Sequence, residues 1–574
     1  MPGPHWLKGY QARWLGPDLM AAALVALLLV PQGLAYAALA GLPPQLGLYA
    51  SVLPLVMYAL LGSSRTLSVG PVAVLSLMTA AALAQVAEPG SARYIAGAVL
   101  LALFSGTILL VAGLLRLGAL AHFISHPVIS GFISGAALLI IIGQLRPLLG
   151  VASDGHTAVQ LVVGLLSQVA EIQPLTAALG IGTLAVLWLA RAALAPLLEV
   201  LGLANRWATL VARLMPTAAV LGSVGLVATL GWQERLDVVG EIPPGLPGMV
   251  VPAVDTALLH ALWLPALAIA LVNFVESVSI AQLFASRNRQ RLDANSELLG
   301  LGAANLASGL SGALPVTGSF VRTAVNAEAG AQTPLAGILA ALLVALILLF
   351  ASGVFSALPM AVLAATIIVA AIGLVDLDSL RHNWHYDRAE GCAQLGTALG
   401  VLLAGVEVGI GLGIALSLAT LVWRASRPHI VILGRVPDTE HFRNVQRYAV
   451  ETHHGLLIIR IDENLFFGNA EAVDRFVAKA LREQPETRHL VLVMSSVSSI
   501  DATALEMLDM LNEQLMAQGL NLHLAEVKGP VLAQLENDGF PQRLAGEIFL
   551  SAFVAFETLR QRLGADDQGV AGDG

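Results

Sequence analysis

Long apolar stretches alternate with short polar ones from the start of the chain to about residue 427. A hydrocarbon core of about 30 Å takes about 20 apolar residues in a helix. Runs of that order fall near 18–36, 43–61, 70–87, 94–115, 124–145, 175–198, 207–231, 261–284, 297–314, 318–330, 334–357, 360–375, 391–405 and 407–423. They predict fourteen spans, seven in each half, of which the third and tenth are too short to cross fully. After Arg427 the pattern changes. Short apolar runs at 430–435, 456–461, 490–494 and 520–527 read as strands, and 470–483 and 502–518 as amphipathic helices. Strands alternating with helices predict an α/β sandwich. The closing ADDQGVAGDG (565–574) reads as a frayed polar tail.

Composition agrees with a membrane body. The chain is 57% hydrophobic and 12% charged, against about 25% charged for a soluble domain. Its mean hydropathy is +0.78. Residues 1–429 hold 18 Lys+Arg and 18 Asp+Glu, and residues 430–574 hold 12 and 21, so the net charge of −9 sits wholly in the tail domain. This predicts an α-helical polytopic membrane protein divided into a cytoplasmic segment (1–17), a transmembrane domain (18–427), a cytoplasmic α/β domain (428–564) and a disordered tail (565–574). Nothing is basic enough to suggest nucleic acid. The single cysteine, Cys392, excludes an intramolecular disulfide. The first 18 residues lack the pattern of a cleaved signal peptide, so the first apolar run reads as a true span. With the N-terminus in the cytoplasm, 14 basic residues fall inside and only Arg93, Arg146 and Arg235 outside. The positive-inside rule therefore puts both ends of the membrane region in the cytoplasm. Arg322 fits neither side and lies within a span.

Short spans in corresponding positions of two halves point to a binding site. The third opens with SVGPVAV (68–74) and the tenth with PVTGSFVRTAV (315–325). Each has an extended lead-in, a glycine, and a helix start near mid-membrane. A half-helix N-terminus offers unpaired N–H groups and the positive end of a dipole, which suits an anion. Gly70 and Gly318 let backbone approach a ligand closely. Kinking alone would use the same glycines and prolines, but the pairing across halves and the intramembrane Arg322 favour a site. Arg322 would face the ligand or balance Glu276, a lone carboxylate in LVNFVESVSIAQ. A bare carboxylate is costly in low dielectric, so Glu276 is a candidate proton carrier, or else one half of a structural Glu–Arg pair. In VPQGLAY (30–36), Pro31 is expected to break helical hydrogen bonding, freeing Gln32 and Tyr36 to offer donors to the same cavity or to serve as interhelical glue.

The remaining features carry less chemistry. His122, His126, His382 and His385 lack partners at metal-ligand spacing, so neither metal nor other cofactor is expected. The glycines of GVEVGIGLG (405–413) read as close helix packing. No P-loop, nucleophile elbow or paired catalytic carboxylates occur, which speaks against ATP-driven transport and against an enzyme.

The stretch VPQGLAYAALAGLPPQLGLYASVLPLVMYALLGSSRTLSVGPVAVLSLM (30–78) resembles the signature region of the sulfate permease (SulP) family, relatives of prestin and pendrin. VESVSIA (275–281), DANSELLGLGAAN (293–305) and TGSFVRTAVNAEAG (317–330) resemble its later motifs, and SSIDATALEMLDML (498–511) and LAEVKGPV (524–531) its STAS domain. The resemblance implies a seven-plus-seven inverted repeat with core and gate domains, an elevator-like movement and a homodimer. It places a substrate anion among Gln32, Tyr36, the turn Val69, Gly70, Pro71, Val72 and Ala73, and the turn Gly318, Ser319, Phe320, Val321 and Arg322. It puts Glu276 at a position associated with cation coupling. Many members carry a serine where Val321 stands, so a hydroxyl beside the arginine is missing here. Thr503 lies near the residue that stand-alone STAS relatives phosphorylate and is a candidate regulatory position.

These readings converge on a proton-coupled transporter of small anions, sulfate first, in a bacterial inner membrane. The alternatives are bicarbonate or dicarboxylate transport, anion exchange, or a membrane-anchored STAS signalling protein.

Overall fold

Apolar runs become helices in hydrocarbon because backbone N–H and C=O groups find no partners there but each other. A computed structural model describes residues 5–118, 125–151, 155, 157–250, 256–287 and 290–570. Two units divide the chain, Met1–Ser417 and Leu418–Gly574. Among the described residues of the membrane region, eight helices are long and apolar enough to cross a bilayer, and Gln45–Leu61, Ala73–Ala84, Ala158–Ser167 and Leu335–Phe350 are shorter apolar pieces. Each of the fourteen expected spans has a helical counterpart, and Ala158–Ser167 is an additional helix. His122 lies outside the described residues.

The helices that build the site are α1 (Leu15–Leu39), α2 (Ala73–Ala84), α3 (Ala92–Leu114), α4 (Asn205–Leu230), α5 (Thr256–Arg287), α6 (Ala294–Leu310) and α7 (Phe320–Ala329). Contrary to expectation, α1 runs unbroken through Pro31. Proline cannot donate to the carbonyl four residues back, but Thr217 of α4 does so instead, its Oγ1 donating to the Leu27 oxygen at 2.9 Å. The second span is broken into Gln45–Tyr49 and Leu53–Leu61. Its first piece presses on α1 so closely that a β-carbon on Gly47 would collide with the Gly33 oxygen. Small residues permit such backbone contact within a membrane. The same device joins α3 to α6, where a β-carbon on Gly302 would stand 2.7 Å from the Leu110 nitrogen.

Of the 405–413 glycines, Gly409 and Gly413 pack closely against Val401 and against Val128 and Thr397. Gly405 instead makes the corner between Arg388–Ala404 and Val406–Ala425 at φ +93°.

Two short strands, β1 (Val69–Gly70) and β2 (Thr317–Gly318), pair antiparallel. They are the lead-ins to α2 and α7.

The second unit holds β3 (Ile430–Arg435), β4 (Phe442–Asn444), β5 (Leu456–Ile461), β6 (His489–Val493), β7 (Asn521–Ala525) and β8 (Ile548–Phe549), in the order β4-β3-β5-β6-β7-β8. β5 to β8 are parallel, and β3 and β4 are antiparallel additions. Successive β5 side chains take opposite faces. Leu457, Ile459 and Ile461 join the core built with α8 (Ala470–Glu483) and α9 (Ala502–Ala517), while Leu456 and Ile458 join Phe556, Leu559 and Leu563 of α10 (Ala552–Val570). Both faces are therefore covered, which is why the strands read as continuous apolar runs. β4, β8 and α10 lie outside the expected elements, and the α10 backbone continues to Val570 into the segment expected to be frayed.

Candidate functional site

The site is a crossing of two chain segments that cannot be helical. Val69 pairs with Gly318 and Gly70 with Thr317, and the Ser319 amide donates to the Ser68 oxygen at 2.9 Å. A half-helix leaves each end of the crossing. α2 begins at Ala73, and its N-cap Val72 has extended backbone and no capping side chain. Its first amides therefore keep free donor capacity. α7 begins at Phe320, with the Ser319 side chain capping the Arg322 amide. Two dipole ends thus add positive potential at one place.

Buried polar side chains hold the crossing. On the β2 side, Asn273 and Asn305 each donate through Nδ2 to the Val316 oxygen, at 2.8 and 2.9 Å. Asn305 Oδ1 accepts from the Val316 amide at 3.0 Å, and Ser277 Oγ accepts from the Gly318 amide at 2.9 Å. On the β1 side, Thr323 Oγ1 accepts from the Ser68 amide at 3.1 Å, and Asn326 Nδ2 donates to the Thr66 oxygen at 2.8 Å. None of these five residues is more than 4% exposed. They were not among the expected site residues. Their signal was a polar side chain inside an apolar run, the same signal that singled out Glu276 and Arg322.

Arg322 is fully buried. Its Nη1 donates to Gln32 Oε1 and to the Pro71 oxygen, both at 3.0 Å. Nε and Nη2 are buried and meet no acceptor. Two donors of a buried guanidinium left open are costly, and an oxyanion presented with fork geometry would satisfy them. Gln32 thus accepts through Oε1, and its Nε2 keeps the donor capacity expected of it.

A cavity of about 500 Å³ lies beside this cluster, lined by Gln32 and Tyr36 of α1, Phe320 and Val321 of α7, and Arg191 and Arg213 among others. That volume is in the range of small-molecule sites. Val69, Gly70, Pro71, Val72, Ala73, Gly318 and Ser319 are buried, as Arg322 is, and none of them lines the cavity. The missing hydroxyl at Val321 therefore leaves an apolar stretch in that wall.

Glu276 is placed apart. It lines a separate crevice of about 30 Å³ with Val128, Phe132, Ile410 and Ile414. Its Oε2 meets no donor. No ion pair within 4.0 Å joins it to Arg322. The structural Glu–Arg pair is not formed.

In the second unit, Thr503 is exposed in the first turn of α9. Asp501 caps that helix, accepting from the Ala504 amide at 2.9 Å and from the Phe467 amide at 2.8 Å. Among the described residues no cluster of His, Cys, Asp or Glu could hold a metal ion.

Comparison with known proteins bears on the whole architecture. The Sulfate permease family model matches residues 15–397 and the STAS domain model residues 447–552. A probable sulfate transporter of Mycobacterium tuberculosis is 36% identical over 565 residues, covering 98% of each chain. The chloroplastic sulfate transporter 4.1 of Arabidopsis thaliana is 35% identical over 562 residues, covering 95% of this chain and 80% of its own. The murine Slc26a9 anion transporter in its inward-facing state shares the fold at a TM-score of 0.84 and 22% identity, over 95% of this chain and 92% of that one.

Proposed function

The chain belongs to the sulfate permease family, and on that premise we propose that it is a secondary active transporter taking up small inorganic anions, sulfate foremost, together with protons. The observation that carries this reading is the crossing itself: two half-helix N-termini meet beside a fully buried arginine with two donors open. An anion seated there would accept from the first amides of α2 and α7 and from Nη2 of Arg322. Gln32 and the Pro71 carbonyl hold the guanidinium in place from behind. Water exclusion strengthens each of these contacts.

A doubly charged oxyanion beside a single arginine is still poorly balanced in low dielectric. A proton carried on Glu276 would remove one opposing charge from the moving body and couple uptake to the pH gradient. Separation of Glu276 from the cavity suits a coupling group that the anion does not touch. The names of the relatives, sulfate transporters in a bacterium and in a plant, support sulfate as the substrate. We place the protein in a bacterial inner membrane as a homodimer with both termini in the cytoplasm, moving its core past a gate domain in an elevator-like step. The STAS domain, with Thr503 exposed, serves assembly or gating.

The test is uptake of labelled sulfate, bicarbonate and succinate into proteoliposomes, each under an imposed pH or sodium gradient. Sulfate accumulation driven by a pH gradient, lost in Arg322→Ala, is expected. Sulfate uptake indifferent to the pH gradient sinks the coupling, and unchanged sulfate affinity in Arg322→Ala sinks the site. A protein that moves none of the three anions, while its C-terminal domain still engages a partner, would make it a membrane-anchored signalling protein.

A further inference from the structure

A second buried carboxylate lies next to the crossing and has no part in the scheme above. Glu297, in the first turn of α6, is fully buried. Four donors converge on it. The Tyr58 hydroxyl donates to Oε2 at 2.7 Å, and the Ser63 amide, the Ser63 hydroxyl and the Ser64 amide donate to Oε1 at 2.8, 2.7 and 3.0 Å. Ser64 passes the order on, its Oγ accepting from the Leu67 amide at 3.2 Å. Backbone contact locks the same place, since a β-carbon on Gly300 would stand 2.7 Å from the Gly62 α-carbon.

The segment 62–68 has no helix or sheet ladder of its own, and five of its seven amides, those of Ser63, Ser64, Thr66, Leu67 and Ser68, donate to side chains. Those of Thr323 and Asn326 tie it to α7, the half-helix that leaves the crossing. Glu297 ties it to the scaffold helix α6. The β2 lead-in has its own ties, to Asn273 and Ser277 of α5 and Asn305 of α6. Two lead-ins tethered at separate points fix both the position of the crossing and its angle. With the Glu297 carboxylate gone, residues 62–68 keep their ties to α7 and lose those that Glu297 gives them on α6, so the start of α2 is expected to shift relative to Arg322.

We propose that Glu297 is a positioning residue for anion binding: it sets where the N-terminus of α2 and the Pro71 carbonyl stand relative to Arg322, without touching the anion. This rests on the reading of the crossing as the anion site.

The experiment compares the full chain with Glu297→Gln, Glu297→Ala and Tyr58→Phe in proteoliposomes. Sulfate KM, maximal rate, and inhibition by selenate and chloride are measured, with sulfate binding to solubilised protein and its thermal midpoint alongside. Glu297→Ala is expected to raise the sulfate KM and dissociation constant tenfold or more and to blunt discrimination against chloride. Glu297→Gln, which keeps one acceptor, and Tyr58→Phe, which removes one donor, are expected to fall between. A merely structural role would lower yield and thermal midpoint and leave the KM and selectivity of the surviving protein at parent values. That result in Glu297→Gln or Tyr58→Phe overturns the proposal even if Glu297→Ala does not fold. A parent chain that neither binds nor moves sulfate would instead overturn the functional reading beneath it.

Discussion

The guanidinium of Arg322 lies against Gly70, so closely that a β-carbon at residue 70 would stand 3.2 Å from Nη2. The glycine is therefore more than a turn residue: its missing side chain is the space in which the arginine sits. Gly70→Ala is expected to push the guanidinium a few tenths of an ångström from Gln32 and the Pro71 carbonyl. An off-rotamer shift of that kind costs about 1 kcal/mol, so sulfate KM should rise roughly fivefold with little change in thermal midpoint. Uptake kinetics and a melt check both, and a parent-like KM would place the anion away from Arg322.

Glu276→Gln removes the titratable carboxyl while keeping its shape. It is expected to abolish sulfate accumulation driven by a pH gradient and to spare sulfate counterflow between equal pH. Accumulation that persists in Glu276→Gln would assign the coupling to another group.

Val321 lines the cavity one residue before Arg322. Val321→Ser adds a donor to the apolar wall, and one added hydrogen bond is worth about 1 kcal/mol. Sulfate KM should fall roughly fivefold, while an unchanged value would show that the anion rests out of reach of this face.

His523 in β7 is 2% exposed. Its Nδ1 accepts from the Glu547 amide at 2.9 Å, which leaves Nε2–H to donate to His489 Nδ1 at 3.1 Å. Burial, and then the neighbouring His489, push its pKa down to about 4. An unfolded histidine titrates near 6.5. Between about 4 and 6.5 the unfolded chain binds a proton that the folded domain refuses, so stability falls as pH falls through that window, by up to ~3 kcal/mol. Hydrogen exchange of the β5–β7 amides in the full chain should quicken from pH 7.5 to 5 after correction for intrinsic rates. His523→Asn keeps an acceptor near the Glu547 amide and should flatten that dependence. An equal slope in His523→Asn would assign it to His489 or elsewhere.

Much of the architecture was legible before any coordinates. Apolar runs of bilayer length located the helices, because hydrocarbon leaves the backbone no alternative. The two short spans and the lone Arg322 marked the crossing, and buried strands such as Leu456–Ile461 stood out as continuous apolar runs. The short edge strands β4 and β8 did not, since two or three residues carry no period to read. Asn273, Ser277 and Asn305 carried the same signal as Arg322 but no hint of what they hold.

The sequence alone determined that this protein spans a membrane, that its two halves each interrupt a span at matching places, and that an acidic α/β domain follows. These follow from local preferences: solvent decides helix from loop, and the grouping of glycine and proline at 68–74 and 315–318 marks where two spans start late. Only the tertiary structure decided which long-range partners meet. It turned Glu276 toward an apolar crevice and Arg322 toward Gln32 and Pro71, repaired the gap at Pro31 with Thr217, and tied residues 63 and 64 to Glu297. Each of these depends on the rotation of one helix against another, and side-chain packing between helices sets that rotation, not the order of residues along either one.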